Sequence, residues 1–461
     1  MGHEQSRDDP GEALSLARLA LPLIAVNVGQ QLMGVVDTAL SGRIDALAQA
    51  ATGLGNTIFF FGALFGIGLT MGIDPLTAQA FGAGRADAAR RAMWQCVWAS
   101  LLIGPPIALF TVAAGHALET LGIAPDLAAE TRRYLDARLL SLLPLFVVTA
   151  VRSYLQSAHR TAPIVVAAVV ANLFNLVADW VLIFGDEGLV HVGLPAVGVP
   201  ALGVAGIGWA TTAATALNLA VLVIAIGRRR DESAIAVDRR PNAKLLRRLF
   251  ALGTPIGLHM LAEVGIFSIA GLLAGTMGAV AMAAHQVALQ LAALTFMIPL
   301  GIGAATSVRV GHAIGRGDLA RVRRAGFAGI VMGAGFMTVS AVSMWLLPGA
   351  YARLMASDPN VVALASRLIV IAGAFQIFDG TQAVSAGALR GAGMTRWTMV
   401  ANFFAYWIVG FPVLVALGFG FDFGPYGLWW GLTIGLAVAA LLLATKFASV
   451  SRRPIAAIEL G

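Results

Sequence analysis

The sequence is poor in two things on which water-soluble proteins depend, charged side chains and cysteine. Only 12% of its 461 residues are charged, whereas 58% are hydrophobic, and the mean hydropathy is +0.82. The core of a soluble protein cannot hide that much apolar surface. The single cysteine, Cys96, lies inside an apolar run. A disulfide framework is therefore excluded, and we expect a small buried side chain with no redox role.

The sequence also lacks the motifs of a nucleotide-driven machine or an enzyme. Its Gly-x-Gly strings follow apolar stretches, and no Gly-x-x-x-x-Gly-Lys-Ser/Thr phosphate loop occurs, so a nucleotide-driven mechanism has no support. An intramembrane enzyme would need a nucleophile beside a base, or three metal ligands. Neither constellation is visible, so we expect no enzymatic activity and no cofactor.

What the sequence contains instead is long apolar runs. About 20 residues of helix cross a hydrocarbon layer of ~30 Å, and we count twelve such runs, six in each half. Their approximate positions are 15–41, 50–78, 92–115, 133–157, 162–185, 201–227, 247–275, 283–310, 325–347, 360–389, 397–420 and 426–449. The first follows Asp8 and Asp9, where a signal peptide would carry positive charge, so we expect it to be retained. We predict an all-α integral membrane protein with twelve transmembrane helices.

The two halves of the chain repeat each other. The Gly-Ile-Gly string at 66–68 recurs at 301–303, an offset of 235 residues (301 minus 66), and Pro22 recurs as Pro255, an offset of 233 (255 minus 22). Such a duplication predicts two pseudo-symmetric six-helix lobes. We expect the segments to be an N-terminal segment 1–14, an N-lobe 15–227, a basic linker 228–247, a C-lobe 248–449 and a tail 450–461. Both lobes enter from the same side, which predicts a pseudo-twofold axis along the membrane normal and a cavity between them.

The positive charges predict the orientation. When the N terminus is placed inside, 25 of the 31 Lys and Arg residues fall on the inner side, as the positive-inside rule requires. We therefore expect both termini and the linker to be cytoplasmic, and Arg138 is among the six charges counted on the outer side. The net charge of +7 then follows from topology and needs no nucleic-acid partner.

Polar residues inside the N-lobe spans are the first candidates for function. A charge near the bilayer centre costs roughly 2.5–3.5 kcal/mol, so it must face protein or water. Asp37 in the first span and Asp179 in the fifth are predicted to carry a proton or a cation; the alternative for Asp37 is a carboxylate near the outer interface, reached by Arg43. Amides on the same helical faces are predicted to line a cavity, or to join packed helices. They are Gln30, Asn172 and Asn175.

The C-lobe offers a second set. Glu263 in the seventh span and Asp379 in the tenth could bind one monovalent cation or share a proton. His259 lies one turn before Glu263, but a pair without a third ligand is a weak indication of a metal site. The accompanying amides, predicted to bind substrate or line the cavity, are Gln286, Gln376 and Gln382.

Three aromatic features call for structural interpretations. We expect the run at 403–407 to pack or to contact lipid, with cavity lining as the alternative. Trp429 and Trp430, next to an outer loop, indicate an interfacial belt. His285, near the start of the eighth span, is interpreted as a packed, hydrogen-bonded side chain and not as a switch.

Three strings carry a resemblance to a known family. Val-Asp-Thr-Ala at 36–39, Gly-Ala-Gly-Arg at 82–85 and Ala-Leu-Arg-Gly at 388–391, together with two six-helix halves, resemble the MATE multidrug exporters. The resemblance covers nearly the whole chain, from about Leu16 to Ser449. Within it, Glu263 and Asp379 look like the acidic pair of the NorM-type branch. Three further residues look like the N-lobe cluster of the DinF-type branch: Asp37, Asn175 and Asp179.

The resemblance implies export of bulky, often cationic, drugs or dyes, driven by inward Na+ or H+, with Glu263 and Asp379 as the Na+ ligands if sodium is used. It further implies a monomer in a bacterial cytoplasmic membrane. Phe375 stands where a sodium-coupled relative is expected to have tyrosine, so the choice of ion stays open. The alternative is a flippase for lipid-linked or polysaccharide substrates in the same superfamily, which would need basic spans, whereas these spans carry acids.

Overall fold

The computed structural model describes residues 11–227 and 237–458, and within these ranges it contains helices and no strand. Asp8 and Asp9, and parts of the predicted segments 1–14, 228–247 and 450–461, lie outside the described residues. The first eight helices are α1 (Glu12–Ser41), α2 (Ala46–Thr70), α3 (Ile73–Gly82), α4 (Ala86–Ala117), α5 (Pro125–Leu139), α6 (Leu142–Ser157), α7 (Ala162–His191) and α8 (Val204–Gly227).

The second half of the chain is also helical throughout. Its helices are α9 (Ala243–Thr276), α10 (Ala279–Gly315), α11 (Leu319–Leu346), α12 (Pro348–Met355), α13 (Pro359–Gly391), α14 (Thr395–Gly420) and α15 (Gly424–Val450). Helix α14 contains π-helical turns at Phe404–Gly410 and Ala416–Gly420. Such turns are uncommon and are often found at functional sites.

The number of membrane spans agrees with the prediction. Of the described helices or joined helix pairs, eleven are long and apolar enough to cross a membrane, and α5 with α6 makes a twelfth when that bent pair is counted as one span. The span predicted at about 133–157 begins earlier in the structure, at Pro125, and bends by 45° between its two helices, which the sequence analysis did not predict. Pro144 explains the break, since it has no N–H to donate to the carbonyl of Leu140.

The chain divides into two compact units. We call residues 28–73 and 86–257 the N-unit, and the remainder the C-unit, of which the structure describes residues 11–27, 74–85 and 258–458. The start of α1 and most of α3 thus group with the C-unit. The predicted lobes 15–227 and 248–449 stay a prediction.

Within the N-unit, the bent pair and the helices around it form the packed centre. Helix α8 packs against α5, α6 and α7, and α2 packs against α4 and α5. Cys96 on α4 is fully buried, with its Sγ 3.5 Å from the carbonyl oxygen of Thr70, as expected for a small apolar side chain. This arrangement brings the polar faces of α1, α5, α7 and α8 into one interior.

Within the C-unit, α13 is the central helix and packs against α10, α11 and α15. At its closest approach to α10, a Cβ atom added to Gly387 would lie 2.3 Å from the carbonyl oxygen of Gly303. Only glycine fits there, which is how helices in membranes come close enough for backbone contact. Helix α13 also carries Asp379, so the packing fixes the position of that carboxyl group.

Candidate functional site

Two buried carboxyl groups of the N-unit lie close together. Asp37 on α1 and Asp179 on α7 are 6% and 0% exposed, and their side chains are near enough to interact with each other. Thr211 on α8 donates from its Oγ1 to Asp37 Oδ2 at 3.4 Å. Two ionised carboxylates can only accept, so a hydrogen bond between these acids would need a proton on one of them. The two acids are therefore placed to hold one proton between them.

A buried arginine lies close to this pair. Arg138 on α5 is 6% exposed and interacts electrostatically with both Asp37 and Asp179. Its Nη1 donates to Tyr134 Oη and, at 3.4 Å, to Asn56 Oδ1. The N-unit site is therefore a cluster of two acids and one base.

The burial of Arg138 was not predicted. The charge count uses Arg138 only as one of the charges on the outer side, whereas the structure places it in a buried position close to the end of α5. The signal that could have revealed it is the spacing of buried residues on α5, since Thr131, Tyr134 and Arg138 recur at intervals of three and four. That spacing places all three on one helical face.

Within the described ranges, the N-unit amides make no hydrogen bond to the two acids. Asn175, one turn before Asp179, is 1% exposed and its Nδ2 has no hydrogen-bond partner among the described residues. Asn172 lies against α1, since a Cβ atom on Gly29 would be 2.8 Å from its Nδ2. Gln30 is exposed and accepts from Arg152 Nη1 at 3.4 Å. Of these three amides, Asn175 is therefore the one whose Nδ2 is free to donate a hydrogen bond to the acids.

The C-unit site is built around Glu263 on α9. Its Oε2 lies 3.3 Å from His259 Nε2, one turn away, and its Oε1 accepts from Tyr406 Oη at 3.3 Å. Tyr406 belongs to the first π-helical turn of α14, so the irregular backbone presents the phenol to the acid. The Glu263 side chain is 18% exposed, which leaves it accessible to an ion or a ligand.

The structure brings the two predicted C-lobe acids together. Asp379 on α13 is 5% exposed, and its carboxyl group is close enough to Glu263 to interact electrostatically. In the described part of the chain, no group of three or more His, Cys, Asp or Glu side chains is placed to hold a metal ion. A cation at Glu263 and Asp379 would therefore take further oxygen ligands from a hydroxyl, an amide or water, as hard cations do.

The C-unit amides divide into buried and exposed ones. Gln376 is fully buried and donates to Thr295 Oγ1, which links α13 to α10. Gln382 is 1% exposed and donates to Asn402 Oδ1 at 3.3 Å, which links α13 to α14. Gln286 is exposed. The contacts of Gln376 and Gln382 are those of interhelical hydrogen bonds.

The aromatic predictions have mixed outcomes. The prediction of an interfacial position is wrong for Trp429, which is fully buried against Phe375 with ring centroids 5.8 Å apart. Its neighbour Trp430 is 43% exposed. His285 is packed as expected, 5.8 Å from the Trp429 ring, but its nitrogens have no hydrogen-bond partner among the described residues. Trp407 donates to the carbonyl of Ala262 at 3.1 Å, so it packs against the helix that carries Glu263, whereas Phe403 and Phe404 in the same run are exposed.

The two sites differ in charge. In the N-unit, a basic side chain accompanies the two acids, because Arg138 interacts electrostatically with both of them. In the C-unit, Glu263 and Asp379 have only His259 as a nearby basic group among the described ion pairs. The N-unit cluster is suited to exchange a proton, whereas the C-unit pair is suited to bind a cation or a proton.

Comparison with known proteins supports the resemblance. The MatE family model matches residues 22–181 and 255–415, more than half of the chain. The chain is 39% identical to the probable multidrug resistance protein NorM of Bradyrhizobium diazoefficiens, over 96% of this chain and 94% of that protein. It is 34% identical to the multidrug resistance protein MdtK of Pectobacterium atrosepticum, over 97% of each.

Solved structures show the same fold. The eukaryotic MATE transporter AtDTX14 superposes with a TM-score of 0.84 at 23% identity, over 96% of this chain and 98% of that one. The Vibrio cholerae MATE transporter VcmN in its bent form superposes with a TM-score of 0.83 at 18% identity, over 96% and 97%. With the family model and the NorM relatives, these matches show that the chain belongs to the MATE family of membrane transporters.

Proposed function

We propose that this protein is a secondary active exporter, which moves bulky cationic or amphipathic organic compounds out of the cell in exchange for inward H+ or Na+. The observation that carries the proposal is the acidic pair Glu263 and Asp379, held together in an apolar, helical membrane protein. The relatives named multidrug resistance proteins support the class of substrate. It is a transporter and not an enzyme.

Competition at the acids would couple the two flows. A carboxylate pair in a membrane can be satisfied by a coupling cation or by a cationic substrate, and binding of one disfavours the other. Alternating access would expose the site to each side of the membrane in turn. In this scheme Glu263 and Asp379 exchange substrate for the coupling ion, and Asp37 works with Asp179 as the proton-carrying pair.

The coupling ion is H+ or Na+. If Na+ is used, Glu263, Asp379 and the Tyr406 hydroxyl would hold it, because these are the hard oxygen donors at the site. Phe375 cannot contribute a hydroxyl. The closeness of Asp37 and Asp179 in the N-unit supports H+ as at least one coupling ion, since two neighbouring buried acids can hold a proton between them.

The flippase alternative is not favoured. A phosphate-bearing lipid would need a site with net positive charge, and the two acid clusters oppose that. Arg138 does not change this conclusion, because it faces two carboxyl groups. The relatives also carry multidrug resistance names.

Several finer features belong to the same proposal. We propose that the polar residues around the acids line the substrate path, that both termini and the linker are cytoplasmic, and that the protein works as a monomer in a bacterial cytoplasmic membrane without a nucleic-acid partner. The residues of that path are Gln30, Asn172, Asn175, Gln286, Gln376 and Gln382.

Purified protein in liposomes provides the test. Vesicles loaded with a fluorescent cationic dye would be given a proton gradient, a sodium gradient, both or neither, and the initial rate of dye efflux would be recorded. We expect efflux to accelerate with at least one gradient, because each inward ion displaces the dye from the acids. Protein-free vesicles report leakage.

The four conditions distinguish the alternatives. Acceleration by protons alone assigns both acid pairs to proton transport, and acceleration by sodium alone assigns Na+ to Glu263 and Asp379. Equal rates under all four conditions would contradict the exchange mechanism and turn attention to the flippase.

A further inference from the structure

A buried arginine, Arg138, lies in the same interior as the acid pair of the N-unit, and the family resemblance gives it no role. We propose that Arg138 is a positioning residue for proton exchange: it balances the charge of the Asp37–Asp179 pair without binding either acid, and so sets the pH range of transport. This inference rests on the proposed function, because it concerns the proton that the exporter would exchange.

The packing of α8 brings the arginine and the acids to one place. Thr211 Oγ1 contacts Asp37 at 3.4 Å, and the next residue, Thr212, donates to the carbonyl of Ala137 at 2.8 Å. Ala137 is the residue before Arg138. A single turn of α8 therefore touches both the acid pair and the turn of α5 that carries the guanidinium.

The guanidinium is held away from the carboxyl groups by a separate set of contacts. Its Nη1 is bonded to Tyr134 Oη and Asn56 Oδ1, and its Cζ lies 4.4 Å from the centre of the Phe59 ring. An arginine over an aromatic face is stabilised electrostatically. Arg138 therefore has a defined position of its own, which does not depend on an ion pair with either acid.

Several buried polar atoms of this cluster are unpaired. Arg138 Nε, Asp37 Oδ1 and both carboxyl oxygens of Asp179 have no hydrogen-bond partner within the described ranges of the chain. A bidentate arginine–carboxylate bond would hold the acids ionised and block proton uptake. The observed arrangement keeps the positive charge near the pair but leaves the carboxyl oxygens able to gain and lose a proton.

The charge balance explains why the arginine is present. The acid pair with one proton carries a single negative charge, and an isolated charge in a buried site is strongly unfavourable unless it is compensated. Arg138 supplies the compensating positive charge. Without it, the pair would be stable only with a second proton, and it would release protons only at higher pH.

Few other charged groups face this site. Helices α2 and α8 contribute no acidic or basic side chain, and Tyr134 is the remaining titratable group on α5 in contact with Arg138. On α6 the basic residue is Arg152, which contacts Gln30, seven residues before Asp37 on α1. Arg138 is therefore the cation in a position to tune the pair.

The test compares pH profiles of proton-driven dye efflux from liposomes. Arg138→Gln removes the positive charge, so we expect the alkaline limit of transport to move upward by about one to three pH units, the range over which a nearby opposite charge acts on an acid. Arg138→Lys keeps the charge and should restore a profile close to that of the wild type. Arg133→Gln, an exposed arginine of the same helix paired with Glu130, is the matched control and should change nothing.

A second variant predicts a shift of the opposite sign. Tyr134→Phe removes the hydroxyl that holds the guanidinium away from the acids, so Arg138 can approach them and favour their ionised form. The alkaline limit should then move downward. This variant retains the aromatic ring and all charges, so it serves as the test even if Arg138→Gln fails to fold.

The outcomes separate a charge effect from a structural one. Opposite shifts for Arg138→Gln and Tyr134→Phe support the proposal, whereas a lower rate at every pH with an unmoved profile in a variant that remains monodisperse overturns it. Failure of the proposed function has a different signature, because the wild-type protein itself would then show no gradient-driven efflux.

Discussion

Asp179→Asn is expected to lower proton-driven dye efflux by at least about tenfold, within the range of ~5- to 150-fold that coupling between two sites typically produces. Asp179 is fully buried and lies near enough to Asp37 to interact with it, and the proposed function has the two acids share a proton. Once it becomes an amide, Asp37 alone can pair its charge with that of Arg138 and needs no proton. The site then has no proton to exchange, although its volume and its neighbours are unchanged.

The measurement is the initial rate of efflux from liposomes under an imposed proton gradient, at matched amounts of reconstituted protein. Asp87→Asn is the matched control, because Asp87 is an exposed acid whose salt bridge is with Arg91 on its own helix. We expect that control to keep the wild-type rate. A wild-type rate for Asp179→Asn would remove the N-unit pair from the mechanism.

The second large effect is expected at the C-unit acids. Glu263→Gln and Asp379→Asn should each reduce efflux under both gradients by about tenfold or more, since either change removes a charge that holds the coupling cation or the cationic dye. Because the two acids act as one site, the double variant should be no worse than the single ones, as is found for groups that work as a unit.

Tyr406→Phe serves as a graded comparison for this site. It removes only the hydroxyl that donates to Glu263 Oε1. One such hydrogen bond is worth about 0.5–1.5 kcal/mol, so we expect the efflux rate to fall by roughly two- to twelvefold.

For the double acid variant, a strictly multiplicative loss of efflux would contradict the shared site and indicate two independent roles for Glu263 and Asp379.

The helical architecture and the candidate acids could be predicted because the apolar bilayer restricts both the length and the composition of a membrane span. Apolar runs must be long enough to cross the bilayer, and an acid within such a run is too unfavourable to be accidental. On those grounds alone the sequence predicts four candidate acids: Asp37, Asp179, Glu263 and Asp379. The sequence does not predict that Asp37 pairs with Asp179, because the two lie on separate spans whose contact depends on how α1 and α7 pack.

The sequence did not predict the surroundings of residues that lie in an environment unusual for their residue type. Arg138 is a base near a helix end, which the charge rule counts on the outer side, and in the structure it is buried in contact with Tyr134, Asn56 and Phe59. Trp429 and Trp430 are neighbours with opposite exposure. Adjacent helical residues face different directions, and composition cannot say which of them faces the core.

The most direct test of exchange is to impose a dye gradient and record the ion. Liposomes containing the protein and a luminal pH or Na+ indicator would receive an outward gradient of cationic dye with no ion gradient. Dye that leaves must be accompanied by H+ or Na+ that enters, whichever way the protein is inserted, and this ion signal should vanish with Glu263→Gln. Dye efflux with no opposing ion movement would contradict the exchange mechanism.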